Sequence, residues 1–248
     1  MGIITQVLLY FLIGLFAGSM SGMFGIGGGS VRTPLLYISG LPLLSAFGIN
    51  LLVIPFSSFV GTITHRKNIN WNYASYVVIG GISGAVFGAF LTGFIQTLFL
   101  AIIFVIISII TVFGVYFERI SPKLSHKINP TAKIIVCGTF FLNLITGMRG
   151  GSGGSLFPPF LRMMKLNMRE AIATSLFATI YSATFGAIIY WYRGDIILIP
   201  AMVVILGSIS GARIGSLVSL KTKPKWLEIG LSIIIIILAL TTVYKAIL

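Results

Sequence analysis

Acidic residues are nearly missing from this sequence: its 248 positions hold four Asp and Glu, two histidines and a single cysteine. The lone Cys137 excludes an intrachain disulfide framework, a CxxC redox pair and a thiolate metal cage. Two histidines and four scattered acids supply neither a nucleophile–base set nor a ligand cluster, so an enzyme lacks its constellation. No cofactor motif is present, and none is expected to be bound. Charged residues make up 8% of the chain and hydrophobic ones 57%, where a soluble globule carries ~25% charge. With a mean hydropathy of +1.07, the chain reads as an all-α polytopic membrane protein, multi-pass in a cell membrane. The formal charge of +13 would suggest nucleic acid in a soluble protein. Here it fits cationic loops beside anionic lipid headgroups and an anionic solute, with no nucleic-acid partner.

Eight windows are apolar enough for a transmembrane helix, at roughly 3–24, 43–64, 73–95, 97–117, 132–148, 171–192, 196–217 and 226–247. Eight helices of ~20 residues use roughly 160 positions and leave no soluble domain. The longest connector, Glu118–Lys133 with Pro122 and Pro130, reads as the joint of two halves. No Lys or Arg precedes Arg32, so the first window lacks the cationic leader of a signal peptide and is expected to be a retained helix.

Those halves repeat. Gly22-Met23-Phe24-Gly25-Ile26-Gly27-Gly28-Gly29-Ser30 recurs 125 residues later as Gly147-Met148-Arg149-Gly150-Gly151-Ser152-Gly153-Gly154-Ser155. The register carries on through Pro34/Pro159, Leu36/Leu161, Ala46/Ala171, Leu51/Leu176 and Gly61/Gly186. A second block, Gly80-Gly81-Ile82-Ser83-Gly84-Ala85, is echoed at a spacing of 127 by Gly207-Ser208-Ile209-Ser210-Gly211-Ala212. The chain therefore reads as one transmembrane domain with an internal 4+4 duplication: repeat 1 about 3–117, linker about 118–131, repeat 2 about 132–247. Such duplications are typical of transporters, with the solute between repeats. Four crossings per unit make the halves parallel, which is the expectation taken here. The Lys and Arg count by side, eight against nine, decides no orientation. The positive side of the first half does match the poor side of the second, as inverted repeats with an uncounted re-entrant segment would produce.

Each half carries its glycine cluster at the end of its first span, with a proline close behind. Successive glycines unwind a helix and expose amides, and proline pre-forms the next first turn. A broken helix is expected in each half, with a short helix starting near Thr33-Pro34 and near Pro158-Pro159. Irregular backbone at membrane depth survives where it is buried or lines a wet cavity. Amides beside a helix N-terminus suit an anion. By contrast, Gly80/Gly84/Gly88 and Gly207/Gly211/Gly215 recur every four residues and read as close helix packing. No GK[ST] follows either cluster, so neither is a nucleotide P-loop.

Two glycine clusters with a following proline, in an eight-span chain of this length, resemble the TauE/SafE sulfite-exporter family, also called the 4-toluene sulfonate uptake permease family. The likeness covers essentially the whole chain. Its most specific parts are Gly25-x-Gly27-Gly28-Gly29 with Pro34, the His65-to-Trp71 loop, and Gly207–Gly215 with Gly211-Ala212-Arg213. The resemblance implies transport of sulfur-containing anions such as sulfite or organosulfonates, and no enzymatic activity. The second cluster departs from the first, with Arg149 and Ser152 where Phe24 and Gly27 stand.

The solute is expected between the clusters, contacted by Gly25, Gly27, Gly28, Gly29 and Ser30 on one side and Gly150, Gly151, Ser152, Gly153, Gly154 and Ser155 on the other. Arg149 is the leading candidate: it lies within the second glycine cluster at the end of a span, where an unpaired cation is costly. A guanidinium beside free amides can donate two hydrogen bonds at once to an oxyanion, the alternative being an arginine snorkelling to the headgroups. Arg32 and Arg213 are further cationic candidates, against the alternatives of snorkelling or pairing with a carbonyl. Asn50 and its repeat equivalent Ser175 are polar donors in apolar runs. The acids Glu118, Glu170, Asp195 and Glu228 sit near loop ends, which gives little support to a carboxylate proton relay, and His65 and His126 read as solvated loop residues. A channel-like facilitator for another small anion and a non-transport assembly subunit are the alternatives. A homodimer is compatible with the sequence, which names no interface.

Overall fold

The computed structural model describes residues 2–25, 27–96, 98–103, 105, 106, 109, 130–221, 236, 237, 240 and 244. Among these the regular elements are helices: α1 Ile3–Phe24, α2 Gly29–Ile38, α3 Leu43–His65, a 3₁₀ turn Arg66–Asn68, α4 Trp71–Thr92, α5 Ala132–Gly147, α6 Phe157–Met163, α7 Met168–Tyr192 and α8 Leu198–Lys221. Five of them (α1, α3, α4, α7 and α8) are long and apolar enough to cross a membrane, and α5 is apolar but shorter. Five of the eight expected windows thus correspond to helices long enough to span, and a sixth to the shorter α5, among the described residues. The windows 97–117 and 226–247 and the connector lie largely outside those residues, as do Glu118, His126 and Glu228.

Local sequence explains the helix ends. Asn167 caps α7 by accepting from the Glu170 amide at 3.0 Å, while the Glu170 carboxylate accepts from the Asn167 amide at 3.1 Å. This reciprocal box satisfies two otherwise orphaned donors. The two short helices end alike. Leu41 N–H bonds the Leu36 carbonyl and Leu166 N–H the Leu161 carbonyl, at 3.3 and 3.2 Å. Between them stand Gly40 and Lys165, repeat equivalents with φ of 111° and 70°. A left-handed residue after the last turn is the usual helix stop, and glycine is its cheapest occupant.

The every-fourth glycines do the packing. A Cβ added at Gly207, Gly211 or Gly215 would collide with the carbonyls of Phe11, Leu15 and Ser19 on α1. One at Gly80, Gly84 or Gly88 would collide with Val136, Phe140 and Leu144 on α5. Small residues let backbones approach where lipid offers no hydrophobic drive between helices. Numbers rise together in both pairs, so α1 and α8 are parallel, and so are α4 and α5. In the centre the sense reverses: Gly48 meets Tyr190, Ser58 bonds Thr179 at 3.0 Å, and Gly61 meets Leu176. Helices α3 and α7 are therefore antiparallel, and they are the most enclosed of the spans, with 67% and 61% of their apolar windows buried against 22% for α1.

These directions correct the expected parallel duplication. Since α3 and α7 are repeat equivalents, their opposite senses make the repeats inverted. Asn70 meets Thr174 and Ala85 meets Gly186, so α4 and α7 are parallel, and α5 shares their sense. Consecutive long helices α5 and α7 can run the same way only if 148–167, with α6, doubles back between them. That re-entrant stretch is what a span count by hydropathy omits. The pairs α1·α8 and α5·α4 are then exchanged by the symmetry, each joining the first helix of one repeat to the last long helix described in the other.

Candidate functional site

Both glycine clusters form non-helical turns where a helix breaks. Gly25, Gly27, Gly28, Gly150 and Gly153 all have φ between 67° and 71°, a region closed to most side chains. Gly25 and Gly150 are equivalents, as are Gly28 and Gly153. Ser152, at the position of Gly27, does not share its positive φ, so the two turns differ there. The first short helix starts at Gly29, four residues before the expected Thr33-Pro34, which places Pro34 inside it. The missing Pro34 N–H withholds the donor that would meet the buried Ser30 carbonyl. The second starts at Phe157 with proline in its first turn, one residue from expectation.

Each turn docks on the other repeat. A Cβ on Gly25 would meet Ile172 of α7, and one on Gly150 would strike Phe47 of α3, again an equivalent pair. The Ser175 hydroxyl donates to the Gly25 carbonyl at 3.2 Å, and the Asn50 amide to the Gly150 carbonyl at 2.6 Å. The clusters therefore interlock about the pseudo-twofold, and they meet: Ser152 Oγ lies 3.7 Å from where a Gly27 Cβ would be. A Cβ on Gly29 would press on the Asn50 amide.

Arg32 is wholly buried, which rules out snorkelling, since a snorkelling arginine keeps its head group in water. One Nη donates to Asn50 Oδ1 at 2.6 Å and approaches the Gly27 carbonyl at 3.5 Å. The other Nη donates to Ser208 Oγ at 3.2 Å, and Ser208 donates onward to the Gly14 carbonyl at 3.0 Å. Arg32 Nε has no partner. The described acids are committed elsewhere, Asp195 to Arg193 at 2.6 Å and Glu170 to its capping box. Arg149 is also buried, at 3% exposure, and donates to Ser155 Oγ at 2.6 Å.

The arginines break the symmetry. The equivalent of Arg32 is Phe157, and that of Arg149 is Phe24. Where Arg32 reaches Ser208, Phe157 packs at 3.4 Å from the Cβ position of Gly81, the equivalent of Ser208. Each cluster so receives one guanidinium from a different register position. Ser30, Thr33 and Ser152 hydroxyls are buried beside the turns without partners, free to donate to a guest. Thr174 is occupied by the Asn70 amide at 3.0 Å.

Arg213 is not brought to the clusters. It is exposed on α8, on the side away from Gly211 and Gly215, and drops out of the candidate site. Ser208 is the residue that sequence reasoning missed. Its signal was present, as the one polar replacement in an otherwise glycine-matched block.

The family model of the sulfite exporter TauE/SafE matches residues 10–242. A protein named probable membrane transporter protein MJ0441, from Methanocaldococcus jannaschii, is 28% identical, over 94% of this chain and 93% of its own. Two from Bacillus subtilis carry the same description, YunE at 24% identity over 95% and 97% of the chains, and YjnA at 28% over 91% and 95%. No solved structure matches the chain.

Proposed function

The chain belongs to the sulfite exporter TauE/SafE family, and from that premise we propose that it carries small sulfur oxyanions, sulfite or organosulfonates, across the membrane through a site between its two glycine clusters. It is a multi-pass membrane protein whose relatives bear the names of membrane transporters. The observation that carries the reading is the meeting of the clusters at Gly27 and Ser152 with Arg32 and Arg149 buried beside them. A buried cation is expensive at membrane depth, and an anionic guest is what offsets that cost. A guanidinium offers paired donors that match the oxygens of a sulfite or sulfonate. Hydroxyls of Ser30 and Ser152 without partners supply the neutral donors such a guest also needs.

Mechanistically, inverted repeats that share a central site permit alternating access by exchanging the conformations of the two halves. The interlock of each turn with the other repeat, through Asn50 and Ser175, ties movement of one half to the solute contacts of the other.

Sulfite flux into proteoliposomes tests the reading, with sulfate and methanesulfonate as competitors and Arg149→Ala in parallel. Flux above protein-free liposomes should fall at least tenfold in the variant, since losing one hydrogen bond to a charged group costs ~1.5–3 kcal/mol. Carriage of none of these anions withdraws the substrate assignment and leaves the family membership standing.

A further inference from the structure

His65 ends α3, where the sequence suggested a solvated loop residue, yet it is only 2% exposed and neither ring nitrogen has a partner. One turn earlier on the same face, the Thr62 hydroxyl is likewise buried without a partner. Buried polar groups in this condition are rare and call for a physical explanation. A neutral imidazole presents one N–H donor and one acceptor, and a hydroxyl can donate as well. The charged groups around the pair are mostly cationic. The adjoining 3₁₀ turn contributes exposed Arg66 and Lys67, and α7 contributes Arg169, which acts electrostatically on His65. Glu170 is engaged in its own capping box.

The repeat supplies the contrast. The equivalent of His65 is Tyr190, and because α3 and α7 are antiparallel the two residues stand at opposite ends of the seam between these helices. At the Tyr190 end a cation and an acid close over the ring, although the Tyr190 hydroxyl is itself buried without a hydrogen-bond partner. Arg193 lies over the Tyr190 ring at 4.4 Å, pairs with Asp195 at 2.6 Å and donates to the Ala89 carbonyl at 2.9 Å. At the His65 end, buried as it is, the described residues offer no such ion pair or cation–ring contact. This end also lies on the way to the first cluster: Gly61 meets Leu176, and the neighbouring Ser175 bonds the Gly25 carbonyl.

We propose that His65 and Thr62 form a second anion-binding site, at the mouth of the α3–α7 seam, which takes a small oxyanion before it reaches the glycine clusters. The anion class rests on the function proposed above, whereas the position rests on these two side chains alone. The imidazole N–H and the hydroxyl act as donors beside the cations of the 3₁₀ turn and Arg169.

The test is chemical protection of His65 in the full-length protein carrying His126→Gln, which leaves one histidine. Diethyl pyrocarbonate should carbethoxylate His65, read by mass spectrometry of its peptide. Methanesulfonate, which does not consume the reagent, should slow the reaction about threefold at roughly twice its dissociation constant, while chloride at equal ionic strength should not. Thr62→Val should weaken the protection. Arg149→Ala should retain it, and Arg149→Gln serves if the alanine variant does not fold. An unlabelled His65, labelling that methanesulfonate leaves unchanged, or protection that vanishes with Arg149 each overturns the second site. Should Arg149→Ala keep its full sulfite flux while His65 stays protected, the central site falls and the outer one stands.

Discussion

Arg32 donates to Asn50 at 2.6 Å, and Asn50, through its other amide atom, donates to the Gly150 carbonyl at the same distance. One side chain thus fastens the cation of the first repeat to the turn of the second. Asn50→Asp gives Arg32 a counter-charge and takes the donor from Gly150. Both changes oppose a bound anion, so sulfite flux should fall at least tenfold, about 1.4 kcal/mol in transition-state terms, in proteoliposomes loaded with equal amounts of folded protein.

Gly150 and Gly40 both hold positive φ, but their surroundings differ. A Cβ at Gly150 strikes Phe47, while one at Gly40 meets nothing within 4 Å. Gly40→Ala should cost about 1–2 kcal/mol of backbone strain. Gly150→Ala should add about 1–3 kcal/mol of overpacking to that. Thermal unfolding of the two variants in detergent should rank them in this order.

Lys165 is the one non-glycine residue with positive φ among those described, and its equivalent is glycine. Lys165→Gly should raise stability by up to about 1 kcal/mol, the strain relieved less the greater freedom of the unfolded chain. A higher unfolding midpoint with unchanged flux is the expected result.

Arg213 separates position from charge. It is a cation within a span, yet exposed on the outer side of α8. Arg213→Gln should leave sulfite flux within about twofold of wild type, as surface substitutions away from special features change energies by less than about 0.5 kcal/mol. A loss comparable to that of Arg149→Ala would return Arg213 to the site.

The duplication was legible because glycine cannot be replaced where carbonyls approach this closely, so the pattern Gly80/Gly84/Gly88 survives beside Gly207/Gly211/Gly215. Inversion was half legible: the charge flip between the halves pointed to it, but α6 has only seven residues and leaves no hydropathy window of its own, so the span count argued for parallel halves. The burial of Arg32 was hidden too: a cation eight residues past Phe24 reads as a headgroup residue until α2 is seen to begin at Gly29. His65 was misread because an adjoining His-Arg-Lys run looks solvated, whereas the helix ends with its imidazole turned inward.

The pairing of α1 with α8 also sets a timetable for making the protein. Ser208 bonds the Gly14 carbonyl across 194 positions of chain, and at ~5–20 residues per second a ribosome needs roughly 10–40 s to deliver the later helix. For that interval the glycine face of α1 waits in the bilayer without its mate, and Arg32 waits without Ser208. Helix α1 is therefore locked in place only once α8 has been made, and the proposed anion site cannot be complete before then.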